Sequence, residues 1–364
     1  METVWFALVA AMLATYAVLD GFDLGVGILH RFVARTDQER RIVLAAIGPV
    51  WDGNEVWLIA AGGLLFMAFP RAYSTAFSGF YLALMIVLWL LILRGVAIEF
   101  RSHQDNPLWR EFWDSVFSFA SILLAVVFGA SLGNLVRGVP LGKDGLAGLA
   151  LFTNFRTGKQ PGIFDWYTTL VGVFALVALA GHGAMFLMWR TTGPVHERSL
   201  VYARQAWWIA LPLWVVVTLS TASVQPEVFT NLIARPWSVL FVIVSMGGFG
   251  AAYYFVKRGR ELAAFMSSSA FLFGLLGSTM TGNYPFWLRS TIDPSFSLSA
   301  FNTASTNYGL RVALLWWLIG ITLAGGYFVN MYRSIRDKVF MASHGDTVMH
   351  DTLGGSLARK SEHG

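Results

Sequence analysis

Four acidic side chains lie in or beside stretches of sequence that are otherwise apolar. Asp20 and Asp23 occur in VLDGFDLGVG, and Asp52 and Glu55 occur in WDGNEVWL. The members of each pair are three residues apart, so they share one face of a helix. A charged side chain inside a membrane costs about 2.5–3.5 kcal/mol to insert, and such residues usually face a bundle interior and mark routes for ions or protons. The two pairs therefore predict chemistry with protons or other cations.

The composition supplies the apolar setting that this chemistry needs. Of 364 residues, 56% are hydrophobic and 13% are charged, whereas soluble proteins carry roughly 25% charged residues. The apolar residues form blocks of membrane-spanning length, which predicts a polytopic membrane protein. The chain contains no cysteine, which excludes disulfides, thiolate metal sites and thiol catalysis. The basic residues lie in short loops, so the net charge of +5 does not indicate a nucleic-acid partner.

Hydropathy predicts an all-α fold with nine membrane spans. The N-terminal METVWFALVAAML has no basic segment before its apolar run, so we expect an uncleaved first span. We expect one transmembrane domain over residues 1–340 and a polar, flexible tail over 341–364. Two long loops are expected at 137–166 and 283–308. The predicted spans are 4–26, 51–70, 76–98, 114–136, 167–189, 206–224, 237–256, 262–282 and 309–332.

The basic residues predict the orientation of these spans. The loops after spans 1, 3, 5 and 7, together with the C-terminal tail, contain 18 of the 26 Lys and Arg residues. Cytoplasmic loops are enriched in Lys and Arg, so we expect the N-terminus outside and the C-terminus in the cytoplasm. An odd number of spans requires the same arrangement.

This orientation brings the acidic residues to one side of the membrane. Asp20 and Asp23 lie in the inner half of span 1, and Asp52 and Glu55 open span 2 from the inside. Near the inner ends of the next two spans lie Glu99, in LILRGVAIEFR, and Asp114, in WREFWDSVF. Spans 1 to 4 therefore predict a polar cluster that faces the cytoplasm.

A structural explanation exists for each of these residues taken singly. Asp52, followed by Glu55 three residues later, resembles a capping box at the start of a helix. Asp23 pairing with a nearby arginine would only fix packing. Glu99, with Arg94 and Arg101, lies near a membrane interface, where a charged rim is ordinary. Gly21 and Gly25, four residues apart, would let another helix approach closely.

Cofactor binding and catalysis by this chain alone are not indicated. His182 is the one histidine inside a predicted span, and a membrane b-type haem usually needs two axial ligands. We therefore do not expect haem ligation by His182, and no metal site is predicted. The sequence also lacks a P-loop, an HExxH motif and a nucleophile elbow.

Several segments resemble subunit II of the bacterial cytochrome bd quinol oxidases, and together they cover nearly the whole chain. The most specific are GFDLGVG and WDGNEVWL. The others are DQERR, the continuation LIAAGGLLFMAFPRAYSTAFSGFYLALMIVLWLLILRGVAIEFR, FGASLGNLVRGVPL, MWRTTGPVHER and YPFWLRSTIDPSFSLSAFNTASTNYGL.

This resemblance implies a fold and a set of partners. The fold would be two four-helix bundles plus one helix, in the bacterial inner membrane. The chain would form a heterodimer with a subunit I that carries haems b and d and the quinol site. The complex would oxidise quinol, reduce O2 to water and take protons from the cytoplasm. Small single-span subunits, membrane lipid and a structural quinone are further partners that the resemblance allows.

The resemblance also ranks the candidate residues. In the family the aspartate of WDGN, here Asp52, is implicated in a proton route toward subunit I, and Asp23 is a neighbour on that route. Some members have glutamine where this chain has Glu55, so Glu55 ranks below Asp52. Trp51 and Trp57 are then expected to be interface anchors. The predicted proton route comprises Asp52, Asp23, Asp20, Glu55 and Glu99.

Two alternatives stay open at this point. The chain could be a stand-alone secondary transporter or proton channel, although such proteins favour charges near the membrane midplane and repeated halves. It could also be a purely structural subunit of the oxidase.

Overall fold

The fold is built almost entirely from long helices. A computed structural model describes residues 1–143, 145, 148–335, 337–341 and 348–350. The helices are α1 (Glu2–Val33), α2 (Asp37–Ile47), α3 (Trp51–Ala68), α4 (Pro70–Gly79), α5 (Tyr81–Phe100), α6 (Pro107–Arg137), α7 (Trp166–Arg190), α8 (Gly193–Val224), α9 (Glu227–Ile233), α10 (Val239–Lys257), α11 (Glu261–Asn283), α12 (Ala300–Thr303) and α13 (Asn307–Ser334). Two antiparallel hairpins pair β1 (Phe286–Leu288) with β2 (Leu298–Ser299) and β3 (Val339–Met341) with β4 (Val348–His350).

Nine membrane crossings can be counted in the described residues. Eight helices are long and apolar enough to cross a membrane on their own. The ninth crossing is the pair α2 and α3, which passes the same test together and bends by 45° at the junction. The predicted all-α, polytopic membrane protein with about nine spans is therefore confirmed. The predicted orientation of the termini stays a prediction.

The long helices divide into two bundles and one further helix. α1, α3, α5 and α6 pack together as the first bundle, and α7, α8, α10 and α11 form the second. α1 also packs against α7 and α11, so it joins the two bundles. α13 lies beside α3, with Phe328 against Trp57. This arrangement agrees with the expected two four-helix bundles plus one helix.

The first span differs from its predicted bounds. α1 continues to Val33, seven residues beyond the predicted end at 26. In this extension His30 is buried and bonds to Asp114 of α6, whereas Arg31 is exposed and pairs with Glu111. α2 was not predicted, since its charged sequence has no membrane-length apolar run. A capping box between Thr36 and Glu39 begins α2, and such a box satisfies two free backbone N–H groups at a helix start.

The boundary between the second and third spans also differs. The sequence predicts spans at 51–70 and 76–98, but α3 ends at Ala68 and a separate helix, α4, covers Pro70–Gly79. Proline lacks a backbone N–H and cannot continue a helix, but it fits the first position of a new one. α5 then begins at Tyr81.

The two long loops meet at one end of the bundles. The backbone N–H of Val139 donates to Arg289, and that of Thr291 donates to Val139. The α1–α2 turn and the start of α3 lie at the opposite end, where the acidic residues gather. The predicted flexible tail at 341–364 lies outside the described residues except for Met341 and β4, and its boundary stays a prediction.

Candidate functional site

A buried arginine holds two of the predicted carboxylates. Arg94 of α5 is completely buried, and its Nη2 donates to Asp20 Oδ1 of α1 at 2.6 Å. The same nitrogen donates to Glu55 of α3, whose side chain is 23% exposed. Arginine stays protonated in proteins and suits buried ion pairs. One guanidinium therefore ties three helices of the first bundle together through two carboxylates.

The third carboxylate, Asp23, lies in a different setting. It is 1% exposed, and its Oδ2 accepts a hydrogen bond of 2.7 Å from Asn54 Nδ2. The Asn54 amide also donates to the backbone oxygen of Leu19 at 3.3 Å. Asn54 Oδ1 accepts from the hydroxyl of Tyr332 in α13 at 2.9 Å. Asp23 thus accepts a hydrogen bond from a neutral amide, whereas Asp20 accepts one from the positively charged guanidinium of Arg94.

Asp52 lies at the surface beside this cluster. It is exposed and occupies the second position of α3, one helical turn before Glu55. The capping-box explanation of Asp52 is wrong, because the N-cap residue of α3 is Val50 and no side chain caps that helix. A carboxylate in the first turn still interacts favourably with the helix dipole. Asp52 is therefore the water-exposed member of the acidic pair, one helical turn from Glu55.

Glu99 lies apart from the cluster. Its side chain is exposed, five residues beyond Arg94 on α5, and none of the hydrogen bonds of the cluster reaches it within the described residues. The charged-rim explanation of Arg94 and Arg101 is wrong, because both side chains are buried.

The two candidate glycines lie where α1 meets α7. A Cβ at Gly25 would stand 2.0 Å from the carbonyl oxygen of Leu179 and 2.8 Å from Gly183 Cα. A Cβ at Gly21 would stand 2.9 Å from a Leu179 methyl group. The backbones of α1 and α7 therefore touch at Gly25, two residues after Asp23.

The two tryptophans beside the acidic pair pack on neighbouring helices. The Trp51 ring faces Gly95 of α5, where an added Cβ would lie 3.3 Å from ring atoms. The Trp57 ring lies 5.3 Å from that of Phe328. Their role as interface anchors stays a prediction.

A second polar network lies closer to the bundle end. Asp114 of α6 is buried and accepts hydrogen bonds from His30 Nε2 at 2.6 Å, Arg101 Nε at 2.6 Å and Arg40 Nη1 at 2.9 Å. Arg101 also donates to Asp37 at 2.7 Å. This network ties α1, α2 and α6 to the turn after α5. Its cations compensate its carboxylates, so we assign it to holding that end of the bundle together.

His182 is not arranged as a haem ligand. Its Nε2 donates to the carbonyl oxygen of Val18 at 3.0 Å, and its Nδ1 lies 2.7 Å from the hydroxyl of Ser268. The ring stacks on Phe265 at 5.1 Å. Both ring nitrogens are engaged, so His182 does not fit haem iron unless those bonds break. Across the described residues, no cluster of three or more His, Asp or Glu side chains could hold a metal ion.

An apolar cavity of about 360 Å³ lies on the other side of α3. It opens between α1, α3 and α13, and Trp57, Gly63, Trp317 and Phe328 are among its lining residues. This lining fits a hydrocarbon chain.

Sequence reasoning did not assign Arg94, Asn54 or Tyr332 to the cluster, and it placed Arg94 in a charged rim. Arg94 carried a usable signal, because a lone arginine in an apolar span needs an acidic partner at similar depth. Asn54 lies on the same turn of α3 as the acidic pair. Nothing in the sequence pointed to Tyr332, which is 278 residues from Asn54.

Comparisons with known proteins place this chain among respiratory membrane proteins. A family model described as "Cytochrome bd terminal oxidase subunit II" matches residues 1–335. A Bacillus subtilis protein named "Cytochrome bd ubiquinol oxidase subunit 2" is 31% identical over 341 residues, which cover 93% of this chain and 97% of that protein. The "Cytochrome bd-I ubiquinol oxidase subunit 2" of Escherichia coli is 41% identical over 206 residues, 57% of this chain and 53% of that protein. A chain in the structure of bd oxidase from Geobacillus thermodenitrificans matches with a TM-score of 0.69 and 17% identity, over 91% of this chain and 97% of that one.

Proposed function

The chain belongs to the cytochrome bd terminal oxidase subunit II family, and from that premise we propose that it is the subunit of a quinol oxidase that leads protons from the cytoplasm toward the site of O2 reduction. It assembles as a heterodimer with a subunit I that carries haems b and d. Quinol and O2 react at the level of the complex. This chain supplies a scaffold and a proton route.

One observation carries the proposal. A single buried guanidinium at one end of the first bundle pairs with Asp20 and Glu55, and a third carboxyl, Asp23, lies one helical turn from Asp20 with only an amide as its partner. A purely structural ion pair needs one carboxylate per cation, and surplus buried acid is costly. A surplus carboxyl that binds and releases a proton is the usual reason for such an arrangement.

The predicted orientation supplies the direction of transfer. The end that carries this cluster also carries the basic loops, so it faces the cytoplasm under the positive-inside rule. Exposed Asp52 is then the entrance of the proposed proton route, and buried Asp23 and Asp20 form its inner part. Exposed Glu99 has no hydrogen bond to the cluster within the described residues, so it is left as a surface carboxylate apart from this route.

The remaining partners follow from the same premise. The family premise assigns the haems to subunit I, and His182, with both ring nitrogens hydrogen-bonded, does not fit haem iron in this chain. The apolar cavity beside Trp57 and Trp317 fits the hydrocarbon tail of a membrane lipid or a structural quinone. Small single-span subunits would contact the lipid-facing helices.

Co-purification tests the assignment to an oxidase complex. The chain, purified with its partners from its own membrane, should give a reduced-minus-oxidised haem spectrum, because a haem-bearing subunit accompanies it. The chain expressed alone should give none. A haem-free chain that by itself moves protons across vesicle membranes would favour the stand-alone transporter and contradict the proposal.

Replacing Asp52 with asparagine tests the proton route. The expected result for Asp52→Asn in the assembled complex is a fall in O2 consumption of about 10²-fold, the lower end of the contribution of a positioned proton-transfer group. Haem content should stay near normal, because Asp52 is exposed and makes no hydrogen bond that holds the fold. The measurement is quinol-driven O2 uptake per haem.

The matched control is Asp105→Asn. Asp105 is 96% exposed in the loop between α5 and α6, and its ion pair with Arg110 is of the exposed kind that contributes little. Its O2 uptake should equal that of the unmodified complex. If Asp52→Asn also has unchanged uptake, Asp52 is not on the route. Loss of haem in Asp52→Asn would instead assign Asp52 to assembly.

A further inference from the structure

We propose that Asn54 and Tyr332 are positioning residues that hold Asp23 as the proton-bearing carboxyl of the cluster, while Asp20 stays ionised beside Arg94. The inference rests on the proposed function and adds to it the identity of the carrier and of the two residues that orient it. The starting observation is that Asp20 and Asp23, one turn apart on α1 and equally buried, have different partners.

The charges around the cluster distinguish the two aspartates. Arg94 is the one cation that hydrogen-bonds to these carboxylates in the part of the chain that the structure describes, and it contacts Asp20 and Glu55. Two negative charges already share one positive charge. A third ionised carboxylate at Asp23 would be an uncompensated buried charge, which is far more costly than a neutral carboxyl. The other titratable groups nearby are the hydroxyls of Tyr16 and Tyr332 and the imidazole of His182 on α7. The hydroxyls bring no positive charge, and the buried imidazole bonds to Val18 and Ser268 with no carboxylate partner among the described residues, which favours its neutral form. Asp23 is therefore the carboxyl that holds a proton.

The orientation of Asn54 is fixed by its neighbours. A backbone carbonyl can only accept, so the contact with Leu19 identifies the nitrogen of the Asn54 amide. The second hydrogen on that nitrogen goes to Asp23 Oδ2. Asn54 Oδ1 is then an acceptor, so the Tyr332 hydroxyl is the donor. Each hydrogen bond in the chain from Tyr332 to Asp23 has a single direction.

This direction places the proton on one oxygen of Asp23. Oδ2 accepts from Asn54, so the acid proton sits on Oδ1, which has no hydrogen-bond partner among the described residues. When Oδ1–H gives its proton to an acceptor such as water, Asp23 becomes a carboxylate that the Asn54 N–H stabilises. A proton arriving from the Asp52 side restores the acid. Asn54 and Tyr332 do not carry the proton, since an amide is not a practical relay; they set which oxygen does.

Infrared spectroscopy of the assembled complex tests this assignment. The spectrum should contain the carbonyl band of a protonated carboxyl, and this band should move when aspartate is labelled with ¹³C. Tyr332→Phe removes one hydroxyl and keeps the ring that stacks on Phe328, so the variant should fold. The band should shift in Tyr332→Phe and disappear in Asp23→Asn.

The turnover rate gives a second measurement. Losing one hydrogen bond should lower O2 uptake in Tyr332→Phe by about two- to tenfold and displace its pH profile. Tyr327→Phe is the matched control, because Tyr327 lies on the same helix with 60% of its surface exposed. Its band, rate and pH profile should match those of the unmodified complex.

The outcomes separate this inference from the proposed function. A protonated carboxyl band that Tyr332→Phe does not shift, or that persists in Asp23→Asn, overturns the inference even if Asp52→Asn has slowed O2 uptake. Unchanged uptake in both Asp52→Asn and Asp23→Asn overturns the proposed proton route. A band that still shifts in Tyr332→Phe would then support the assignment of the buried proton to Asp23 alone.

Discussion

Replacing Arg94 with methionine should destabilise the subunit by about 3–5 kcal/mol, the usual cost of removing one partner from a buried ion pair. Methionine fills similar space but leaves Asp20 and Glu55 without their guanidinium. Asp20 is completely buried, so it must then stay charged without a partner or take up a proton. The measurements are the melting temperature of the purified complex and the amount of haem-loaded complex per membrane.

The effect should depend on charge, and a second substitution tests this. Asp20→Asn, added to Arg94→Met, removes one orphaned carboxylate and should recover part of the lost stability. Residues in one ion-pair network are expected to show such non-additivity. Arg94→Lys keeps the positive charge but replaces the planar guanidinium that holds two carboxylates with a compact ammonium group. Its stability should therefore lie between those of the unmodified subunit and Arg94→Met.

The control for this series is Arg333→Met. Arg333 lies near the C-terminal end of α13 and is exposed, so its loss should change the free energy of unfolding by no more than about 0.5 kcal/mol and leave the melting temperature nearly the same. Equal melting temperatures for Arg94→Met and Arg333→Met would show that the Arg94 pairs contribute nothing to stability. No recovery in the double variant would show that Arg94 acts through packing.

The sequence predicts the membrane helices well because each must bury about 20 apolar residues in lipid. The same physics explains the errors. Within residues 27–33 of α1, the polar residue His30 is buried against α6 and bonds to Asp114, which no hydropathy window detects. α2 forms through a capping box and ion pairs, one of them between Glu39 and Arg198. Contacts of this kind depend on residues far apart in the chain.

The candidate site could also be predicted only in part, because some of its features depend on one segment and others on contacts between distant segments. Asp20, Asp23 and Glu55 could be chosen from the sequence, since helical spacing and insertion cost both act within one segment. Their different partners could not be chosen, because Arg94 and Tyr332 come from other helices. Helical spacing alone treats Asp52 and Glu55 as one acidic pair, yet one is exposed and the other bonds to Arg94. The rotation of α3 against α1 and α5 decides this difference, and only the packed structure fixes that rotation.

The packing of α1 links the site to the second bundle. Asp23 and Gly25 are two residues apart on α1, so the contact of Gly25 with α7 fixes the rotation of the segment that carries Asp20 and Asp23. A shift of α1 would move these carboxylates away from Arg94 and Asn54. Stability and the proposed proton route therefore depend on the same helix contact.

Gly25→Ala should consequently be one of the most damaging single-methyl substitutions in this chain. The added Cβ would stand 2.0 Å from the carbonyl oxygen of Leu179 and 2.8 Å from Gly183 Cα. Both are backbone atoms, so no side chain can rotate away and the helices must separate. Overpacking usually costs about 1–3 kcal/mol, and we expect the upper end of that range or more. The melting temperature and the haem-loaded yield of the complex should fall together.

The matched control is Gly247→Ala on α10, where an added Cβ meets no atom within 4 Å. Alanine favours a helix over glycine by about 1 kcal/mol, so this variant should be as stable as the unmodified chain or more so. If Gly25→Ala is equally stable, α1 and α7 do not touch as the structure has them. If it is destabilised but its surviving complexes consume O2 at the normal rate, the helix contact stabilises the fold without aligning Asp20 and Asp23. Reduced uptake per haem in those surviving complexes is the result we expect, because the carboxylates move with the helix that Gly25 positions.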